Sequence, residues 1–259
     1  MIQLEDVHVS FGALDVLRGI DLQVDQGESV VLFGPSGCGK STILRVCQGL
    51  ATPVRGDVWI GGQNLRRLSR KQMDGMRAKT GSLFQYNALF DSMSIEENVA
   101  FFLREHGVLP EREIKTRVNH YLKLVNLEGV NDLRPSELSG GMQKRVGIVR
   151  AIIHHPEIVY YDSPTDGLDP LTADLITDLI LELNDRHHVT CLAVSNDMAT
   201  AFKLGERLAM VYNGQIIASG PRDELRTSDD PFVVQFINGD DEGPITDCQT
   251  SRAQSKRRR

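Results

Sequence analysis

Eight consecutive residues, Gly34-Pro35-Ser36-Gly37-Cys38-Gly39-Lys40-Ser41, fit the pattern G-x-x-x-x-G-K-[ST] at every position. The pattern constrains the fold because it needs a strand in front of it and a helix behind it. Glu28 to Phe33 is a short apolar run that predicts a buried strand, and the stretch from Lys40 to about Gly49 predicts a helix. The glycines let backbone N–H groups turn inward around phosphates, and the helix N-terminus adds its positive dipole end. Lys40 brings a point charge to the β- and γ-phosphates, and the Ser41 hydroxyl suits Mg²⁺. Gly34 to Thr42 is therefore expected to bind a nucleotide.

Around this unit the pattern alternates. Ile20, Leu22 and Val24 alternate with Asp21 and Gln23, which predicts a half-buried strand. From about Arg70 to His155 the long segments read as helical. Ile114, Val118, Leu122 and Val125 form one face. Strand patterns return at Ile158 to Tyr161 and Val189 to Val194, with Leu175, Ile176, Leu179, Ile180 and Leu183 marking an amphipathic helix between them. Strands alternating with helices predict a mainly parallel sheet. Asn213-Gly214 between apolar runs from Leu208 to Ala218 predicts a hairpin.

A second glycine-bearing element is Leu138-Ser139-Gly140-Gly141-Met142-Gln143, followed by Lys144-Arg145-Val146. Ser139 and the glycines open a helix, so they offer a second phosphate-binding helix N-terminus. One chain has no use for two such sites on one nucleotide, whereas two chains facing head to tail do.

At Leu138 to Gln143 the chain resembles the signature motif of ABC ATPases. The resemblance covers residues 1 to about 225 and implies an α/β P-loop NTPase of ABC type. Such a fold has a RecA-like core with a mainly parallel sheet, an antiparallel β subdomain and a helical subdomain. It implies an ATP-binding core at 1–85 and 156–225, a helical subdomain at 86–155 and a C-terminal extension at 226–259. It further implies ATP and Mg²⁺, with Phe11 stacking on adenine and Gln85 in the Mg²⁺ shell. Asp162 would be the second Mg²⁺-linked carboxylate. Ser139, Gly140, Gly141 and Gln143 would close the facing chain's ATP, and the loop Gly167-Leu168-Asp169-Pro170 would link the two sites. A narrower resemblance, to the ATPases of MCE-type lipid transporters, lies in Ala88 to Met93, Glu97 to Phe101, Leu103 to His106, Gln235 to Gly239 and Gly243-Pro244. It implies phospholipid cargo, a homodimer (or a pair with a homologous ATPase), an integral-membrane permease and an MCE-type lipid-binding subunit.

Two positions depart from the family pattern at the chemistry. Where the family has a water-activating glutamate this chain has Ser163, and where it has a histidine this chain has Asn196. A serine hydroxyl is a poor base at neutral pH, and asparagine carries no positive charge. Phosphoryl transfer depends on positioning and electrostatics, so both departures predict slow turnover. Natural degeneracy, compensation by Asp166 or Asp197, a catalytically complete partner chain and a deliberate trapping substitution all stand open at this point.

Composition narrows the setting. The formal net charge of −6 gives no support to nucleic-acid binding. No apolar run approaches the ~20 residues of a spanning helix, and Met1 to Asp6 does not read as a signal peptide. The expected location is the cytoplasmic face of the inner membrane, reached through a permease. Cys38, Cys47, Cys191 and Cys248 form no C-x-x-C pair; Cys47 and Cys191 read as core residues. His154-His155 and His187-His188 read as helix C-terminal residues, and the polar stretch after Phe236, ending in Lys256 to Arg259, as a disordered solvated tail. The rival readings are an ABC importer of other cargo, a regulatory or DNA-repair ABC protein, and a small-molecule P-loop kinase.

Overall fold

The computed structural model describes residues 1–107 and 109–246, so the basic run Lys256 to Arg259 and Cys248 lie outside the described residues. Two sheets sandwich the phosphate-loop helix. The first is antiparallel: β1 (Ile2–Phe11) pairs with β2 (Leu14–Val24) on one side and β4 (Arg55–Ile60) on the other, and β5 (Gln63–Asn64) joins β4. In the second, β3 (Ser29–Phe33), β6 (Thr80–Leu83), β7 (Ile158–Asp162), β8 (Thr190–Val194) and β9 (Arg207–Tyr212) run parallel. The edge strand β10 (Gln215–Pro221) pairs antiparallel with β9. The spatial order is β10-β9-β3-β8-β7-β6.

β3 shows why its sequence is continuously apolar. Val31 and Phe33 belong to one apolar cluster and Val30 and Leu32 to the other, as a two-residue side-chain period requires. The α1 helix (Lys40–Cys47) contributes Ile43, Leu44, Val46 and Cys47 to the cluster shared with the antiparallel sheet. On the opposite face lie α3 (Ile95–Glu105), α4 (Glu111–Leu124), α5 (Gly140–Ile152) and α6 (Pro170–His187). The smaller helices are α2 (Arg70–Arg77), α7 (Met198–Leu204), α8 (Arg222–Arg226) and α9 (Pro231–Asn238). Ile114, Val118, Leu122 and Val125 are all buried, and burial pushes the Cys47 and Cys191 thiols up to about 12.

Three expectations need correction. First, β6 interrupts the stretch read as helical. Its Gly81 has no room for a Cβ, which would lie 1.9 Å from the Ala151 carbonyl oxygen. Glycine is a weak strand former, so the residue that permits this close passage also hides the strand from a propensity reading. Second, Leu175 stays exposed while Ile176, Ile180 and Leu183 bury, so the buried face of α6 is narrower than its apolar stripe. Third, residues 237–246 are not a solvated tail. The buried Gln235 accepts from the Ile245 N–H at 2.8 Å and donates to the Asp240 carbonyl at 3.2 Å, closing a loop that also buries Ile245. Phe236 meets Phe33 at 5.8 Å between ring centroids. The histidines stand at helix ends, as expected: His187 closes α6 with His188 as its C-cap, and His154-His155 follow the end of α5, while burial lowers the pKa values of His154, His155 and His187. Burial pushes His154 down to about 4, and the Tyr121 hydroxyl lies 3.2 Å from His155 Nε2 and 2.9 Å from His187 Nε2.

Candidate functional site

The phosphate loop leaves β3 at Gly34 with φ 135° and enters α1 through Gly39 with φ 113°. No side chain caps the α1 N-terminus, so its first N–H groups have no side-chain acceptor there. Lys40 is buried, and its Nζ donates to the carbonyls of Gly34 at 2.6 Å and Pro35 at 2.9 Å. Burial lowers the Lys40 pKa, because an ammonium withdrawn from water loses hydration that favours its charged form. A multiply charged anion in this loop would supply the missing counter-charge. Behind it, Ser41 Oγ donates to Asp162 Oδ1 at 3.0 Å, and burial raises the Asp162 pKa. Two oxygen ligands side by side, next to an anion site, fit a hard cation such as Mg²⁺. Thr42 is buried in the same turn.

The Asn213-Gly214 turn is wedged between sheet and loop. The Gly214 carbonyl accepts from the Arg18 N–H at 2.8 Å, and the Gly214 N–H donates to the Cys38 carbonyl at 3.1 Å. A groove of about 260 Å³ opens here, lined by Leu14, Val16, Ser36, Gly37 and Tyr212 among others. Phe11 does not line it; it ends β1 in register with Leu14 and is 54% exposed.

The other expected site residues fall into separate groups. Ser163 is buried with φ 52°, a strained conformation for a residue with a Cβ, and its N–H donates to the Val194 carbonyl at 2.9 Å. It shares a cavity of about 430 Å³ with Asn196, Asp166 and Gly167. Gln85 donates from Nε2 to Asp166 Oδ2 at 2.8 Å. Asp169 caps α6: it accepts from the Thr172 N–H at 3.0 Å and its hydroxyl at 2.6 Å, and these bonds hold its pKa down. Ser139 caps α5 through Met142 N–H at 3.3 Å, and together with Gly140 it is exposed. A Cβ on Gly141 would lie 3.1 Å from Thr172, so the α5 and α6 N-termini approach closely. Gln143 turns back, donating to the carbonyls of Pro135 at 2.9 Å and Leu138 at 3.3 Å.

Two residues outside the expected set organise this region. Lys144 is buried, and its Nζ donates to the carbonyls of Gln85 at 2.7 Å and Ser163 at 3.4 Å, tying α5 to both. Burial lowers its pKa. Its signal was a lysine on the apolar side of a predicted helix. Asn98 is the second. Its Oδ1 accepts from Phe90 N–H at 2.7 Å, and its Nδ2 donates to the carbonyls of Phe90 at 3.0 Å, Ser94 at 3.0 Å and Met93 at 3.3 Å. It therefore pins a loop that exposes Phe84, Phe90 and Tyr86, the last by 86%. Arg150 covers the Phe90 ring at 4.6 Å. Replacing Asn98 by Ala orphans several backbone groups, so urea unfolding should show a loss of about 2–3 kcal/mol. A loss under about 0.5 kcal/mol would mean that water replaces the amide.

A strand, a glycine loop around a buried lysine, a helix, and a serine–aspartate pair at the loop's base define a P-loop ATPase. The ABC transporter family profile matches residues 17–166, more than half of the chain. The chain belongs to the ABC transporter family, and it is an ATP-binding subunit of ABC type that uses ATP with Mg²⁺. It is 36% identical over 245 residues to the intermembrane phospholipid transport system ATP-binding protein MlaF of Haemophilus influenzae, covering 95% of this chain and 93% of that protein. It is 39% identical over 262 residues to protein TRIGALACTOSYLDIACYLGLYCEROL 3, chloroplastic, of Arabidopsis thaliana, covering 95% of this chain and 75% of that protein. It is also 39% identical over 244 residues to a probable ribonucleotide transport ATP-binding protein, mkl, of Mycobacterium leprae, covering 94% and 70%. Among solved structures, the dimeric bacterial ABC transporter cassette MJ0796 superposes with TM-score 0.80 at 31% identity, covering 86% of this chain and 99% of that chain. The same cassette has been seen as a dimer in a post-hydrolysis state with ADP and Pi. Among the described residues, no helix is long and apolar enough to cross a membrane.

Proposed function

We propose that this chain powers phospholipid transport as a homodimer closed around two ATP, attached to the cytoplasmic face of an inner membrane through a permease and working with an MCE-type lipid-binding subunit. The observation that carries the reading is the match to MlaF, which runs through 95% of this chain and 93% of that protein. The loop held by Asn98, with Phe84, Tyr86 and Phe90 exposed, is the docking face for the permease. Residues 86–155 act as the helical subdomain on that face, and 1–85 with 156–225 as the nucleotide core. Within one site, Lys40 and the loop amides hold the phosphates, Ser41, Asp162 and Gln85 surround the cation, and Phe11 reaches the adenine. Ser139, Gly140, Gly141 and Gln143 close the partner's nucleotide, and Asp169 links the two sites. Ser163 and Asn196 slow hydrolysis while leaving binding intact.

The test is to purify the full chain with its membrane partners from native membranes and extract what the complex carries. Co-purification of a permease and a lipid-binding subunit with bound phospholipid is the expected result. A ribonucleotide as cargo, the chemistry named for the mkl relative, would overturn the lipid assignment and leave the ATPase assignment standing.

A further inference from the structure

Position 163 lacks a carboxylate, yet one stands three residues on. The Asp166 N–H donates to the Ser163 carbonyl at 3.2 Å, and Asp166 Oδ2 accepts from Gln85 Nε2 at 2.8 Å. Asp197, the other acid beside the two departures, is committed elsewhere. It caps α7, accepting from Ala199 N–H at 3.2 Å and from Thr200 through both N–H at 3.0 Å and Oγ1 at 2.5 Å. The structure thus separates two acids that look equivalent in sequence.

The Asp166 contact has a directional consequence. An ionised carboxylate only accepts hydrogen bonds, so Gln85 must turn its NH₂ toward Asp166. Its Oε1 is then on the far side of the amide, available to a water or a cation. A glutamine without such a neighbour has two nearly equivalent orientations. The backbone of Gln85 is held as well, because Lys144 Nζ donates to its carbonyl at 2.7 Å and reaches the Ser163 carbonyl at 3.4 Å. Gln85 is fixed at both ends by residues that the phosphate loop does not contain.

We propose that Asp166 is a positioning residue that partly replaces the carboxylate absent at position 163, by fixing the Gln85 amide so that its oxygen orients the attacking water. This rests on the proposed placement of Gln85 in the site and on slow hydrolysis. In that reaction the water oxygen bonds to the γ-phosphorus while the bridging bond to ADP breaks. The water proton passes to a phosphate oxygen, and Asp166 keeps its charge throughout.

The test uses the full chain and six proteins: the parent, Asp166→Asn, Asp166→Glu, Ser163→Glu, the double variant Ser163→Glu/Asp166→Asn, and Gln85→Ala for signal assignment. Losing an outer-layer partner typically costs roughly 10- to 100-fold in activity, so kcat of Asp166→Asn should fall by about that factor while KM for ATP changes by less than about twofold. Asp166→Glu keeps an acceptor-only carboxylate, whereas Asn offers both an acceptor and a donor and so no longer fixes the Gln85 amide; the Glu variant should therefore retain most of the turnover. Ser163→Glu should restore turnover in the Asp166→Asn background. A readout independent of turnover is the Gln85 carboxamide NMR signal in nucleotide-free protein, assigned by its loss in Gln85→Ala; it should shift and broaden in Asp166→Asn. The proposal is overturned if Asp166→Asn leaves kcat and that signal unchanged, if Ser163→Glu fails to restore the double variant, or if the parent shows no turnover at all. Failure of the slow-hydrolysis reading is seen separately, as Ser163→Glu turning over no faster than the parent.

Discussion

Restoring both departures, as Ser163→Glu/Asn196→His, raises steady-state ATP turnover by at least about 100-fold, the low end of what a positioned acid–base group contributes. That factor corresponds to about 2.7 kcal/mol off the barrier. The backbone is already set for the change. Ser163 sits at φ 52° just after β7, held by its N–H bond to the Val194 carbonyl and by Lys144 at its own carbonyl. The strain is a property of the position and falls on any residue with a Cβ, so glutamate meets no new backbone penalty there. The cavity of about 430 Å³ beside it gives the longer side chains room, and Asn196 is exposed on the same lining. Affinity for ATP should stay within a few-fold, because Lys40, Ser41 and Asp162 are untouched. Single-turnover kinetics with a phosphate-release probe separates the chemical step from binding. A double variant no faster than the parent would show that position 163 does not limit the reaction.

The second large effect is on the fold itself. Gly34→Ala should lower stability by about 4 kcal/mol, from roughly 1–3 kcal/mol of backbone strain and a similar amount for overlap in a packed region. A Cβ built at Gly34 lies 2.1 Å from the Val211 carbonyl oxygen, and φ is 135°. That oxygen is a backbone atom of β9, which pairs in parallel with β3. Relief would therefore require moving a central strand. Gly37→Ala is the control: φ is 76°, but nothing lies within 4 Å of the added carbon. It should cost only the backbone strain. Thermal unfolding without nucleotide should place Gly34→Ala about 10 °C below the parent, with Gly37→Ala much nearer to it. Equal melting of the two variants would mean that β9 yields, and that the close approach constrains nothing.

Much of the nucleotide-binding machinery was legible because its parts are local runs. Gly34 to Ser41 occupies one turn between a strand and a helix, and the signature Leu138 to Gln143 opens one helix. Each needs only its neighbours to take shape, so spacing and residue type are enough to identify it. The parallel core was legible for a related reason, since strands buried on both faces are continuously apolar, as β3, β7 and β8 are. Strands β4, β5 and β6 were not, because tertiary pairing rather than local propensity makes them. Gly81 pairs with Val159 of β7, and the position must be glycine because α5 passes too close for any side chain.

By itself the sequence determined the class of chemistry: a phosphate loop, a second helix opened by Ser139 and two glycines, and the identities of Ser163 and Asn196, two departures from the family pattern. These are matters of residue identity at fixed spacing, and folding leaves them unchanged. Only the tertiary structure decided which charged groups stand with that chemistry. Gln85 and Asp166 are 81 residues apart in the chain yet hydrogen-bonded, and Lys144 reaches 59 residues back to hold the same glutamine. Asp197 lies as close to Asn196 in sequence as any acid can, and is spent on a helix cap. The reason is physical. A hydrogen bond depends on distance and direction in space, and chain spacing carries that information only within a single turn, helix or strand.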